Sequence, residues 1–231
     1  MLIIPAHINV AHRRRDPCRM TWVVLLGLSL FFAASFANPD LDKTQALALQ
    51  RYGTHAADTV AAWRQLMEES RALPEQDKLT KVNTFFNRRM LFQDDIVVWQ
   101  AADYWATPLE FMGRGAGDCE DFSIAKYITL QMLGIGNDKL RLVYVRAKSG
   151  STISIAHMVL GYYPQPTAEP QILDNLISSV RPASQRPDLT PVFSFNGEGL
   201  WVGGATASAA DPTTRLSRWR DVLERMRQDG L

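Results

Sequence analysis

The sequence predicts a single α+β domain, in which N-terminal helices and a later cysteine-bearing helix pack against an antiparallel β-sheet. Three observations carry this. Apolar residues recur at helical spacing through the first half of the chain beyond residue 38. From residue 139 onward the segments turn β-rich and alternating. Between them lies no internal repeat, low-complexity run or linker long enough to separate two domains. With 231 residues, 46% hydrophobic and 21% charged, the composition suits one sizeable core.

Residues 1–37 stand apart from that core. Arg13, Arg14, Arg15 and Arg19 form a positive head, and the apolar run from Trp22 to Ala34 is short for a bilayer span. Ser35-Phe36-Ala37 then places small residues where a signal peptidase reads them. The expectation is an exported, periplasmic protein with a cleaved signal over 1–37 and one domain over 38–231. An uncleaved anchor is the alternative, and initiation at Met20 would drop the arginines. Without residues 1–37 the chain carries 21 basic and 23 acidic side chains, so its formal charge moves from +1 to −2. That balance does not resemble a nucleic-acid-binding face. Cys18 leaves with the signal, so Cys119 is left unable to form an internal disulfide.

The elements follow in order. Residues 55–70 and 75–90 read as two amphipathic helices divided at Leu73-Pro74, with proline suited to a helix start. Residues 93–105 are ambiguous, and Thr107-Pro108 with the glycines beyond marks a loop leading to Cys119. From Phe122 to Leu133 apolar residues recur at helical spacing, and Gly134 supplies a stop. Residues 139–147, 151–163 and 171–176 read as strands, with a proline-rich turn before the last. Residues 191–195 and 200–202 flank Asn196-Gly197, a hairpin signal. A helix over 214–228 closes the chain, its apolar face formed by Leu216, Trp219, Leu223 and Met226.

Asp118 is placed to cap the central helix, with Asp121 three residues on as an acidic variant of the capping box. Cys119 then falls in the first turn, where free backbone N–H groups and the helix dipole favour a thiolate. A lone cysteine is usually inert packing, and a histidine on an apolar strand face, such as His157 beside Ile155 and Val159, is usually structural. Asp174 is a carboxylate among strand-like apolar neighbours, costly to bury without a donor such as an imidazole N–H. Together the three change meaning. A nucleophile at a helix start, a histidine 38 residues later and an aspartate 17 beyond it follow the order of papain-like and transglutaminase-like thiol enzymes. The short spacing suits the transglutaminase-like core.

Wider motifs agree. Trp105-x-Thr107-Pro108-x-Glu110, Gly115-x-Gly117-Asp118-Cys119-Glu120-Asp121, Lys126-Tyr127, Leu133-Gly134, Ala156-His157-Met158-Val159-Leu160 and Leu173-Asp174-Asn175-Leu176 resemble the bacterial transglutaminase-like cysteine proteinases over roughly residues 40–205. The resemblance implies a Cys119–His157–Asp174 triad in a papain/transglutaminase-like core. It also implies a calcium-dependent endopeptidase that clips a large repeat-containing surface adhesin near its N-terminus, at paired alanines, and so promotes biofilm dispersal. The implied inhibitory partner is an inner-membrane LapD-type cyclic di-GMP receptor. The implied Ca2+ ligands are Asp118 and Glu120, with Asp121 as a third. Physically, three carboxylates within four residues repel one another, and a hard dication relieves this; helix capping and dipole complementarity are the other account of the same acids.

The sequence defines the oxyanion hole only in part: the Cys119 N–H is one donor, and Trp105 and Trp99 are equal candidates for the second. Two other functions fit the same residues. A protein-crosslinking transglutaminase would share the acyl-enzyme and hand it to an amine. A calcium-stabilised binding module would need none of the triad.

Overall fold

A computed structural model of the chain describes residues 39–231, save 150–152, 204 and 206. The expected signal and Cys18 lie outside the described residues. Among those residues, no helix is long and apolar enough to cross a membrane.

The described residues open with a helix that the sequence reading leaves unassigned, Leu41–Tyr52 (α1). Its apolar stripe is thin, burying Thr44 and Ala48, but Asp40 caps it by accepting from the Lys43 N–H at 3.0 Å. Thr54–Ser70 (α2) buries Ala56, Val60, Trp63 and Met67, positions that share one helical face. Glu75–Arg89 (α3) begins after Pro74 and carries acids in its first turn and arginines in its last, matching the helix dipole. An unassigned Leu91–Phe92 (β1) comes next, and the ambiguous stretch over 93–105 holds one short helix, Asp95–Val98 (α4).

The segment read as a loop before Cys119 holds a helix, Pro108–Arg114 (α5). Its capping box is complete: the Glu110 N–H donates to Thr107 Oγ1 at 3.2 Å, and the Thr107 N–H donates to Glu110 Oε2 at 2.8 Å. Gly113 suggests a break but lies inside the helix, where glycine leaves room for the Tyr52 ring: a Cβ there would come within 2.4 Å of it. Gly115, at φ +70°, ends the helix in the left-handed conformation. Ala116–Gly117 (β2) then pairs in parallel with β1.

Cys119–Met132 (α6) follows, buried nearly all round between α3 and α5 on one side and the sheet on the other. The strands are Leu140–Ser149 (β3), Ile153–Tyr162 (β4), Gln171–Leu173 (β5), Arg181–Pro182 (β6), Leu189–Phe195 (β7) and Leu200–Val202 (β8). They form an antiparallel sheet in the order β6-β5-β4-β3-β7-β8. The expected hairpin is present: Asn196 Oδ1 accepts from the Glu198 and Gly199 N–H groups, and β7 pairs with β8.

The closing helix breaks at Leu216 into Pro212–Arg215 (α7) and Ser217–Asp229 (α8). Its buried face is Trp219, Val222, Met226 and Asp229, a shift from the expected one that leaves Leu216 and Leu223 half-buried at its edge. Trp219 packs edge-on against Phe195 and Tyr127, with ring centres 5.4 and 5.8 Å away.

Candidate active site

The β1–β2 pair and Gly115 deliver the chain into α6, so Cys119 lands in the first helical turn as expected. Ser123, one turn on and on the same face, donates from Oγ to the Met158 carbonyl at 3.1 Å, which ties α6 to β4 beside His157. The Met158 N–H lies close enough to the sulfur to favour its anionic form, but larger effects oppose it. Burial pushes the thiol up, and Glu120 and Asp118 push it further. Among the described residues, the Cys119 thiol donates its hydrogen bond to Glu120 Oε2, at 2.9 Å, and not to His157.

On the sheet, His157 sits opposite Val145 and is buried. Its Nε2 is 2.8 Å from Asp174 Oδ1. Asp174 lies immediately after β5, one residue past the shortened strand, and the Leu176 N–H donates to the same oxygen at 3.0 Å. The second oxygen faces a residue that sequence reasoning missed: Arg186 Nη2 is 2.7 Å from Asp174 Oδ2, an ion pair by proximity and not an aligned hydrogen bond. Burial works against the Asp174 charge, but the His157, Leu176 and Arg186 contacts outweigh it and hold the carboxyl down at about 2. No local pattern marks Arg186, which follows a one-turn 3-10 helix in a loop far from β5 in sequence.

Asp118 occupies the N-cap position of α6, but its side chain makes no capping bond, so the acidic capping box does not form. The reason is competition. The Asp118 carboxyl lies beside that of Glu120, and Asp121 Oδ1 accepts instead from the Ala106 N–H at 2.7 Å. Two further acids join the cluster, Asp95 from α4 and Asp103 from the loop after it. Ligand atoms of Asp95, Asp118 and Asp121 lie within 4.8 Å of one another, as do those of Asp95, Asp103 and Glu120, and those of Asp118, Cys119 and Glu120. Burial and mutual repulsion push Asp118 up to about 10 and Asp95 up to about 6, and Asp121 also rises well above its ordinary value.

These residues fit a hard cation. Asp95 Oδ1, Asp118 Oδ1 and Asp121 Oδ2 are buried without a hydrogen-bond partner among the described residues, an arrangement that oxygen-bound calcium would satisfy. Gly117 makes room for it, since a Cβ there would lie 2.2 Å from Asp121 Oδ2. Asp95 and Asp103 were not legible as ligands, because the fold brings them in from the segment whose periodicity was ambiguous.

The two tryptophans differ. The Trp105 ring stacks on Phe195 with ring centres 5.7 Å apart, whereas Trp99 Nε1 is buried without a partner among the described residues.

A solved structure of Legionella pneumophila LapG is 41% identical to this chain, with a TM-score of 0.69, covering 80% of this chain and 97% of that one. EGTA-treated LapG gives 0.71 and calcium-bound LapG 0.70 at the same identity. No curated protein gives a match. The family model of the bacterial transglutaminase-like cysteine proteinases matches residues 49–188, a span that holds Cys119, His157, Asp174, the acidic cluster and Arg186. The chain belongs to the bacterial transglutaminase-like cysteine proteinases.

Proposed function

We propose that this chain is a calcium-dependent, LapG-type cysteine endopeptidase of the periplasm, with Cys119, His157 and Asp174 as its triad. The substrate is a large repeat-containing surface adhesin, cut near its N-terminus at paired alanines to release cells from a biofilm. The observation that carries the reading is the buried 2.8 Å His157–Asp174 bond on the strand against which the Cys119 helix packs. Because Nε2 is committed to Asp174, Nδ1 is the nitrogen left to exchange protons with substrate and thiol.

The chain's own residues account for the steps. Cys119 gives its proton to His157, and the thiolate adds to the scissile carbonyl, with the Cys119 N–H a donor to the oxyanion. Collapse expels the amine, which takes the proton from His157 and leaves a thioester. His157 then takes a proton from water, which attacks the thioester and frees the thiol. Asp174 holds the imidazole and offsets its charge when protonated.

Asp118, Glu120 and Asp121, with Asp95 and Asp103, are the residues that would hold calcium. What a bound calcium ion supplies is positive charge beside Cys119, offsetting the carboxylates that now disfavour the thiolate. A calcium-bound LapG among the similar structures supports this assignment.

The partner in this reading is an inner-membrane LapD-type receptor that sequesters the enzyme when cyclic di-GMP is abundant. The test is cleavage of the N-terminal fragment of an adhesin from the same genome, in calcium, in chelator, and with the receptor's periplasmic domain added. Cleavage in calcium alone supports the whole reading. Full cleavage in strong chelator removes calcium from it, and cleavage undiminished by receptor removes the partner.

A further inference from the structure

We infer that Arg186 is a positioning residue for the His157–Asp174 pair, extending this buried pair through Arg186 to a half-exposed Asp188. The inference rests on the protease reading above. Its basis is that each Asp174 oxygen has its own assigned contacts. Oδ1 is filled by His157 Nε2 and the Leu176 N–H. Oδ2 faces Arg186 Nη2 at 2.7 Å, and both side chains are almost wholly buried. The Asp174 carbonyl is also held, accepting from Asn87 Nδ2 at 2.7 Å.

Arg186 is fixed from its other side. Asp188 takes its Nε at 3.0 Å and its Nη2 at 2.8 Å, a two-point grip that sets the plane of the guanidinium. The backbone around it is tied down too. The Arg186 N–H donates to the Ala183 carbonyl at 2.9 Å, the Leu189 N–H to the Arg186 carbonyl at 3.1 Å, and the Lys148 N–H to the Asp188 carbonyl at 2.9 Å. A cation held this rigidly determines where Asp174 points, and Asp174 determines where the imidazole points.

The other charged group facing Asp174 is Lys126, from α6. Its amine is fully buried, and burial lowers it to about 7 against the pull of Asp174. Above neutral pH Lys126 therefore loses its charge while Arg186 keeps its own, since a guanidinium does not deprotonate in this range.

Removing Arg186 has two opposing effects. Loss of a cation near His157 would by itself favour the imidazolium. Loss of the Oδ2 contact leaves Asp174 a poorly compensated buried carboxylate, free to take up a proton or turn away. Arg186 touches Asp174 directly and His157 only through it, so the second effect dominates and the thiol should become less reactive.

Alkylation of Cys119 by iodoacetamide tests this without any peptide substrate, because the thiolate displaces iodide to form a thioether. The rate would be followed from pH 5 to 9 by mass spectrometry of the Cys119 peptide, on calcium-saturated full chain. Arg186→Met should slow the reaction about tenfold near pH 6.5 and move the midpoint up by about one pH unit. Arg186→Lys should recover most of that loss, and Asp188→Asn should show a smaller loss of the same sign. An Arg186→Met rate within twofold of wild type, or above it, overturns the inference. Should Arg186→Met fail to fold, Asp188→Asn decides in the same way, with a wild-type profile overturning it. His157→Ala alkylating like wild type would sink the protease reading itself, and the inference with it.

Discussion

Asp174→Asn keeps the shape of the side chain and removes its charge, so its effect can be worked from the contacts around it. The folded carboxyl lies at about 2, against an ordinary value of 3.8. At 1.36 kcal/mol per unit, the difference is worth about 2.5 kcal/mol of stability at neutral pH. Leaving Arg186 without its carboxylate adds to this, and breaking buried ion pairs typically costs about 3–5 kcal/mol. A loss of about 3 kcal/mol should lower the melting temperature by roughly 6–12 °C for a chain of this size. The sign with pH follows from the depressed value: the stabilisation is complete above the unfolded value and is lost as pH falls from about 4 toward 2. Urea unfolding of both proteins at pH 7, 5 and 3 checks it. The gap should be equal at pH 7 and 5, and its charge-dependent part should shrink to roughly half by pH 3. An Asp174→Asn protein as stable as wild type at pH 7, or a gap unchanged at pH 3, would refute the reasoning.

Further consequences follow from the acidic cluster. Chelation should lower the melting temperature reversibly, with calcium at a hundredfold over its Kd contributing about 2.7 kcal/mol; Asp95→Asn and Asp103→Asn should weaken binding in titration calorimetry. In the chelated protein Asp95 and Asp118 are raised, to about 6 and about 10, so they bind protons more readily folded than unfolded. Their contribution is most favourable at low pH and is lost as pH rises toward those values. Melting scans should therefore show chelated protein gaining stability between pH 7 and 5 relative to calcium-loaded protein. Gly117→Ala would place a methyl against the Asp121 carboxylate and Phe111. It should cost about 1–3 kcal/mol in urea unfolding and weaken calcium binding in calorimetry.

Much of the site was legible because its parts are local. The Gly-Asp-Cys run, the helix it opens and the strand with His157 each announce themselves within a dozen residues. What was illegible depends on distant contacts or competing bonds. The Thr107–Glu110 capping box goes unread because the segment has the marks of a loop, and Gly113 reads as a breaker until Tyr52 is seen to lie where its side chain would be. Asp118 has the right identity and position for a cap, but neighbouring acids engage its side chain. Asp95 and Asp103 reach the cluster only through folding of a segment with no clear period. Arg186 meets Asp174 across a loop, the two-residue β6 and a one-turn 3-10 helix, and no spacing rule predicts such a pair.

The central claim is that Cys119 is the nucleophile of a proteinase, and one comparison tests it most directly. Wild type and Cys119→Ala, both calcium-saturated, would be incubated with the N-terminal fragment of an adhesin from the same genome, and the products followed by mass spectrometry beside a thermal melt of each protein. Wild type should cleave the fragment, Cys119→Ala should not, and the two melts should closely match. Cleavage by a folded Cys119→Ala protein at a rate comparable to wild type would contradict it.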